Sequence, residues 1–429
     1  MKILMINRYS FPEVMGGAHK YYYDLAKNLA KKGHEVHLVY SVNDPQAVLE
    51  EKVEGVYKHK FLEKGKGALE KNYHNIKQTF EISKRILDEH GVDIVNFHDG
   101  RLPLKLFLSE EFSQIPFIYN CQADSAFEYE WDYKKEMENK LPFLKKMKMH
   151  IKFPFHYYWH RYCLSKAIER TNGIIVLSDY VAQTIKNNYG EKYSNKIKKI
   201  PSGVFTELFY PVKGINEKKE LRDKLNLPKD KIIFLTIRRM TLRMGWFNLI
   251  DAVKMLFEKA PQYKDSIAFV FVGGGDLLEQ LKKYVDDLRL SGNIIFTGKV
   301  PDGYPQLYNR ASDCFIIPTE ELEGFGIVSI EAFASGIPVI GTPKGSVPEV
   351  LSEIDADFIT ENHLPDGICK AIEKMLNKIK NNEINSNKLR NIAVEKFSWD
   401  VVTNNIEKYF YNIIQNNIRK KDVNKDTKS

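Results

Sequence analysis

Cysteine is scarce in this chain. Cys121, Cys163, Cys314 and Cys369 are scattered over 429 positions, with no CxxC pair and no histidine at a metal-ligand spacing. A disulfide framework and a thiolate metal site are therefore excluded as organising features. Long apolar runs are missing as well: none approaches the ~20 residues that a transmembrane helix needs. The opening MKILMINRYSFPE holds an apolar stretch too short for a signal peptide and reads as a first strand. The expected location is cytoplasmic, with any membrane contact peripheral and at the inner face. No zinc finger, RNP-like motif or basic heptad array is present, so nucleic acid is not an expected partner. The net charge of +8 suits a phosphate-bearing ligand or a membrane surface and does not choose between them.

What is present is an α/β pattern. Composition is ordinary for a globular protein, 43% hydrophobic and 28% charged, and the length suffices for two domains with separate cores. Strand-like runs alternate with helix-period segments. In the first half they are Lys2–Ile6, Glu35–Tyr40, Val92–Phe97, Pro116–Asn120, Gly173–Ser178 and Lys198–Ile200. In the second half they are Ile232–Ile237, Ala268–Val272, Asn293–Thr297, Cys314–Ile317 and Pro338–Gly341. Between Gly17 and Lys32, Tyr22, Leu25, Ala26 and Leu29 share one helical face, and Gly33 follows as a C-cap. Periodicity breaks at PSGVFTELFYPVKGINEKKE (Pro201 to Glu220). The expected domains are 1–205 and 206–396, then an amphipathic helix at 397–415 and a disordered tail at 416–429.

The richest stretch is 318–350, PTEELEGFGIVSIEAFASGIPVIGTPKGSVPEV. Glu323 and Glu331 lie eight residues apart around Gly324-Phe325-Gly326, between an apolar strand and a helix-compatible run. Such a unit presents free N–H groups at a helix N-terminus, where a phosphate binds readily. The two glutamates can grip hydroxyls on either side of that phosphate, which suits a sugar nucleotide.

The order Glu-Gly-Phe-Gly…Glu-Ala…Gly-Ile-Pro-Val-Ile…Pro-Glu-Val resembles the signature of retaining GT4-type glycosyltransferases, over about Met1 to Ile414. The resemblance implies a GT-B fold, two Rossmann-like doubly wound parallel-sheet domains facing across a cleft. The first domain would take the acceptor and the second the nucleotide-sugar donor, with the last helix crossing back to the first. It implies that Gly16 and Gly17 meet the donor phosphates. His98 contacts the transferred sugar, and Arg239 neutralises the diphosphate. Val300 meets the nucleobase through its backbone. Glu323 faces the sugar, with Gly324, Phe325, Gly326 and Ile327 offering backbone groups, and Glu331 holds the ribose. His98, Glu323 and Arg239 are the catalytic candidates. Asp99 and Asp124 are candidate acceptor-side groups. No cofactor or metal is implied, and no Asp-x-Asp pair is placed to bind one.

The chain departs from that pattern in TIRRMTLRMGWFNLI. Arg238 stands where the family has glycine, and Met244 where it has a phosphate-binding lysine. Arg243 is the candidate replacement for that lysine. FVGGGDLLEQL lacks GxGxxG spacing, which disfavours a dinucleotide site. Residues 134–166 interleave lysines with Phe, Met, Tyr and Trp around Pro142 and Pro154. They read either as a helix pair packed on the core or as a basic amphipathic membrane contact. The expected activity is transfer of a hexose-type sugar from a nucleotide-diphosphate sugar to an acceptor hydroxyl. A GT-B sugar-nucleotide epimerase and a non-catalytic sugar-nucleotide-binding subunit are the alternatives.

Overall fold

Buried strands alternating with amphipathic helices build two sheets in the computed structural model, which describes residues 1–14, 16–138 and 143–426. The chain divides into two units. One comprises Met1–Ser202 with the C-terminal residues from Trp399, the other Gly203–Ser398.

The first unit holds strands β1 (Lys2–Ile6), β2 (Glu35–Val42), β3 (Glu50–Val53), β4 (Val56–Leu62), β5 (Ile94–Phe97), β6 (Phe117–Cys121), β7 (Gly173–Val176) and β8 (Ile197–Lys199). Their order is β3-β4-β2-β1-β5-β6-β7-β8, parallel except for β3 against β4. The chain direction through the sheet reverses between β1 and β5, so the loops leaving those two strands diverge and leave a crevice at the carboxyl edge. Its helices include α1 (Gly17–Lys31), α2 (Ala68–His90), α3 (Ser125–Glu138) and α4 (Phe143–Arg170). Tyr22, Leu25, Ala26 and Leu29 of α1 are buried, as the periodicity requires.

The β3–β4 hairpin is a feature that hydrophobic periodicity does not reveal. β4 reads VYKHKFL, yet Lys58, His59 and Lys60 are all buried. Lys60 Nζ pairs with Glu13 at 2.9 Å and Glu51 at 2.8 Å, and His59 Nδ1 lies 2.6 Å from Glu50. These partners lie outside the strand itself, so β4 alone looks like a solvated segment.

Residues 134–166 fall largely on α3 and α4, with Pro154 inside α4. Residues 139–142, including Pro142, lie outside the described ones. Cys163, Leu164, Ala167 and Ile168 of α4 are buried, whereas Leu144, Met147, Ile151, Phe155, Tyr158 and Tyr162 form an exposed strip at three- and four-residue spacing. Among the described residues no helix is long and apolar enough to cross a membrane.

The C-terminal helix, Trp399–Asp426, packs in the first unit. Trp399 lies 5.6 Å from the Tyr21 ring, and Glu407 pairs with Lys32 at 2.5 Å and His34 at 2.8 Å. The helix continues to Asp426 where a disordered tail from 416 was expected. Polar residues of good helix propensity, such as Lys and Arg, extend an established helix without needing a buried face.

The second unit holds β9 (Ile232–Ile237), β10 (Ile267–Val272), β11 (Ile294–Gly298), β12 (Cys314–Ile317) and β13 (Val339–Gly341), all parallel, in the order β11-β10-β9-β12-β13. Here the reversal falls between β9 and β12. Helix α5 (Trp246–Lys259) follows β9, and α6 (Ile327–Ala334) follows β12. The two elements with the most informative sequences therefore flank the crevice of this sheet.

Candidate donor site and its relatives

β9 ends in Arg238-Arg239, and β12 leads through Glu323 into α6. Arg238 is buried and donates from Nη1 to Thr319 Oγ1 at 2.8 Å and from Nη2 to a Glu323 carboxylate oxygen. Burial lowers the Arg238 pKa, and Glu323 opposes that shift. The sequence does not announce this pair, because Arg238 stands where the resembled family has glycine. The consecutive arginines at a strand end were the signal: neighbouring side chains there point opposite ways, so one turns inward and the other out.

Arg239 is the outward one. Its side chain is exposed, while its carbonyl accepts the Trp246 indole N–H at 3.0 Å. Arg243 is buried, 8% exposed, with Nη1 directed at Leu322 O at 3.5 Å. Its carbonyl receives the N–H of Glu320 at 3.0 Å. The one-residue offset from the lysine position thus turns Arg243 under the 320–322 loop, and Met244 is the half-exposed residue. Sequence reasoning had Arg243 as the replacement phosphate ligand; the structure gives it a partner in the loop backbone.

Two glycines hold this loop pair together. Gly245 has φ +74°, and a Cβ there would lie 1.7 Å from Pro318 O. Gly345 has φ +60°, and a Cβ there would lie 2.6 Å from the Glu323 backbone. The neighbouring Ser346 N–H donates to Glu323 O at 2.9 Å. The Glu323 main chain is thereby fixed from the β13 side as well as through its side chain.

Gly326, in the left-handed region at φ +77°, starts α6 without a side-chain cap. The first-turn N–H groups beginning at Ile327 thus have no side-chain acceptor at the N-cap. Phe325 is buried with its ring 6.0 Å from Phe397. Gly324 precedes it, and Glu331 is half-buried on α6. Val300 lies half-buried just beyond β11. The structure thus brings Arg238, Glu323 and the α6 N-terminus into contact, and places Arg239 and Val300 on the same carboxyl edge.

In the first unit, Gly16 and Gly17 open α1, again without a side-chain cap. His98 follows β5. Its Nε2 donates to Asn96 Oδ1 at 2.9 Å, and its Nδ1 accepts from Gln122 Nε2 at 3.3 Å. The Tyr22 ring stands edge-on at 4.9 Å. Burial pushes the His98 pKa down to about 3, so the imidazole is neutral and its tautomer is set by Asn96. Asp99 is bound by Arg101, which donates from Nε at 3.0 Å. Burial opposes its ionisation, but Arg101 outweighs burial and holds the carboxyl well below the usual range. Asp124 accepts the N–H groups of Ala126 at 3.0 Å and Phe127 at 3.2 Å, the pattern of a helix N-cap. It also accepts from Asn188 at 3.0 Å. Asp124 therefore anchors the start of α3.

One group of metal-capable side chains, Glu35, His37 and His90, has ligand atoms within 4.8 Å of one another. It sits at the opposite, amino edge of the first sheet, away from either crevice.

Comparison with known proteins bears on the family and the fold. The model of glycosyl transferases group 1 matches residues 217–392, and that of glycosyltransferase family 4 matches 15–208. Spore coat protein SA of Bacillus subtilis is 26% identical, covering 95% of this chain and 98% of its own. The GDP-mannose-dependent alpha-(1-6)-phosphatidylinositol monomannoside mannosyltransferase of Mycobacterium tuberculosis is 27% identical over 50% of this chain and 55% of that one. Among solved structures, sucrose-phosphate synthase of Thermosynechococcus elongatus superimposes with a TM-score of 0.76 at 18% identity, covering 96% of this chain and 99% of that one. Two family models that between them take in both units, and a GT-B-like architecture along the whole length, place the chain in the GT4-type glycosyltransferases of the GT-B fold.

Proposed function

We propose that this glycosyltransferase moves a hexose-type sugar from a nucleotide-diphosphate sugar to an acceptor hydroxyl with retention of configuration. The observation that carries this reading is the Arg238–Glu323 contact beside the uncapped N-terminus of α6. A carboxylate fixed through both side chain and backbone is suited to orient sugar hydroxyls, and the helix N-terminus to hold a diphosphate. The relative named for GDP-mannose supports a nucleotide-sugar donor.

In this reading Glu331 binds the ribose, Val300 the base through its backbone, and Arg239 the departing diphosphate. Charge grows on that diphosphate as the C1–O bond to phosphate breaks, and a nearby guanidinium stabilises it. The acceptor oxygen bonds to C1 from the same face, and its proton passes to the leaving phosphate oxygen. Neutral His98 has a fixed hydrogen-bonding edge suited to a sugar hydroxyl; it holds no proton to donate from Nδ1. Gly16 and Gly17, which open α1 without a side-chain cap, offer N–H groups of the kind that suit a phosphate. No metal is part of this scheme.

Acceptor and location belong to the same proposal. The exposed apolar strip of α4 is flanked by the exposed Lys148, Lys152 and Lys166, a pairing that suits the surface of an anionic membrane on the cytoplasmic side. Binding to vesicles of anionic lipid should fall as salt rises and when these lysines are replaced by glutamine. Salt-independent sedimentation would refute that contact.

One observation favours a second reading. Met244 cannot neutralise phosphate and Arg243 is buried, as expected if the protein bound a sugar nucleotide without turning it over. A panel of UDP-, GDP-, ADP- and dTDP-sugars without acceptor separates the two. Slow release of one nucleoside diphosphate from one donor is the expected result. Binding with no release, even with mixed cell-extract acceptors, would favour the binding subunit, and recovery of an epimerised donor would favour the epimerase.

A further inference from the structure

The first unit contains a cavity of about 430 Å³ whose lining includes Arg8, Lys66, Lys71, Arg101, His156 and His160. That volume lies within the range of small-ligand sites. Arg8 follows β1 and Arg101 follows β5, so the cavity opens at the crevice where this sheet reverses direction.

Among the described residues the lining carries cations and no acid. Two carboxylates reach those cations from behind. Glu63 accepts from Arg8 at 2.7 Å and lies 3.1 Å from Lys71, and Asp99 is tied to Arg101. Four cations against these two carboxylates and Glu70, which accepts the Lys66 backbone N–H at 2.9 Å, leave an excess of positive charge in the wall. Glu63 also accepts from Asn75 at 2.9 Å, so it stays anchored in the wall.

Several donors in that wall have no partner. Arg8 Nε and His160 Nδ1 are buried and unmatched among the described residues. His160 Nε2 lies 3.1 Å from Arg101 Nη1 and accepts from it, because a guanidinium can only donate. Burial, with Arg101 adding to it, pushes the His160 pKa down to about 4. A neutral ring accepting at Nε2 carries its proton on Nδ1, which makes the unmatched atom a donor. The N-terminus of the 23-residue helix α2 also meets the cavity: Gly67, its N-cap, lines it without a side-chain cap, while Glu70 of the first turn is turned back onto the Lys66 N–H. Cations, unmatched N–H donors and a helix N-terminus share one complement, an anion with several acceptor oxygens.

We propose that this cavity binds a phosphate or diphosphate group carried by the acceptor. The inference rests on the transferase reading for the word acceptor, and on the cavity alone for the anion. Its chemistry is met equally by a soluble sugar phosphate and by the head of a lipid-linked sugar phosphate.

The test uses the full chain saturated with the nucleoside diphosphate it binds, so that the donor site is occupied, and titrates inorganic pyrophosphate. One saturable site is expected. It should weaken at least tenfold in a Lys66→Ala/Lys71→Ala double variant, whose side chains lie at the surface, while donor hydrolysis stays at the level of the unsubstituted protein. An Arg8→Lys variant, which keeps the charge beside Glu63 but removes Nε–H, should weaken it as well. Absence of saturable binding, affinity unchanged in both variants, or loss of donor hydrolysis in the lysine variant would each overturn the proposal. Glucose 6-phosphate in solution and phosphatidylcholine vesicles with and without polyprenyl phosphate then identify the source, since only the matching form should compete with pyrophosphate. Failure of donor hydrolysis in the unsubstituted protein counts against the transferase reading, whereas failure of pyrophosphate binding counts against the cavity.

Discussion

The two units carry the same kind of sheet and arm its carboxyl edge differently. In the second unit the loops after β9, β12 and β13 approach so closely that Gly245 and Gly345 leave no room for a Cβ. Arg238 spends its fork on Thr319 and Glu323 within the wall. In the first unit the loops after β1 and β5 stand apart and leave a cavity faced with long cationic side chains. Close backbone favours a ligand held by N–H groups and a few fixed side chains. An open cationic wall favours a charged ligand held by flexible ones. One fold thus offers two candidate anion sites of different construction, and the fold alone does not say which ligand goes where.

The sharpest way to break this contrast is to add one methyl group to each edge. Gly245→Ala places a Cβ against Pro318 O at a positive φ, and should cost about 3–5 kcal/mol or prevent folding. Gly67→Ala, at φ −140° with no atom within 4 Å of the new Cβ, should change stability by less than about 1 kcal/mol. Urea unfolding of both variants measures the difference. Equal losses would show that the second edge is not more tightly built than the first.

Next come the glutamates. Glu323→Gln should lower turnover by about a hundredfold with nucleotide affinity nearly unchanged, a loss of roughly 3 kcal/mol in the transition state alone. Glu331→Ala should weaken nucleoside diphosphate binding by about tenfold, roughly 1.4 kcal/mol. Calorimetric titration with steady-state rates separates them, and matching affinity losses in both would reject the assignment.

The arginines sharpen the comparison further. Arg239→Ala, exposed, should reduce turnover by about tenfold or more and leave the unfolding midpoint in place. Arg243→Ala should lower stability by about 1–3 kcal/mol, because it abandons the 320–322 loop backbone. Met244→Lys should be tolerated. A stable but inactive Arg243→Ala protein would restore Arg243 as a phosphate ligand.

The smallest expected effect is on pH dependence, and it belongs to the first unit. Burial lowers the folded pKa of His98 to about 3, so below the unfolded value near 6.5 the unfolded chain takes up a proton that the native one refuses. Stability then falls as pH drops from about 6.5 toward 3. For Glu63, burial raises the pKa, but Arg8, Asn75 and Lys71 together lower it to about 2. The stability it contributes is present above its ordinary value of 4.5 and disappears as pH falls toward 2. Both groups therefore make the first unit acid-sensitive. Thermal unfolding at pH 7, 5 and 4 should show a declining midpoint, with a shallower decline in a His98→Gln variant. An unchanged slope would place the sensitivity elsewhere.

Much of this was legible in the residues. Alternating apolar runs marked both sheets, the Pro201–Glu220 break marked the junction between them, and the glutamate pair pointed to the β12 loop. Three features were not. β4 was hidden because its buried Lys58 and Lys60 owe their burial to acids on other segments. The roles of Arg238 and Arg243 depend on which way each side chain leaves the backbone, which a one-residue offset reverses. The cationic cavity assembles residues 8, 66, 71, 101, 156 and 160, whose proximity only the fold creates.

Hydrogen exchange along the whole chain, with and without saturating nucleoside diphosphate, tests the central claim most directly. The account predicts that the nucleotide protects the amides of 324–331 and 239–246 in the second unit and leaves 66–72 and 99–103 unchanged. Protection confined to the first unit's cationic edge, with 324–331 exchanging as before, would contradict it.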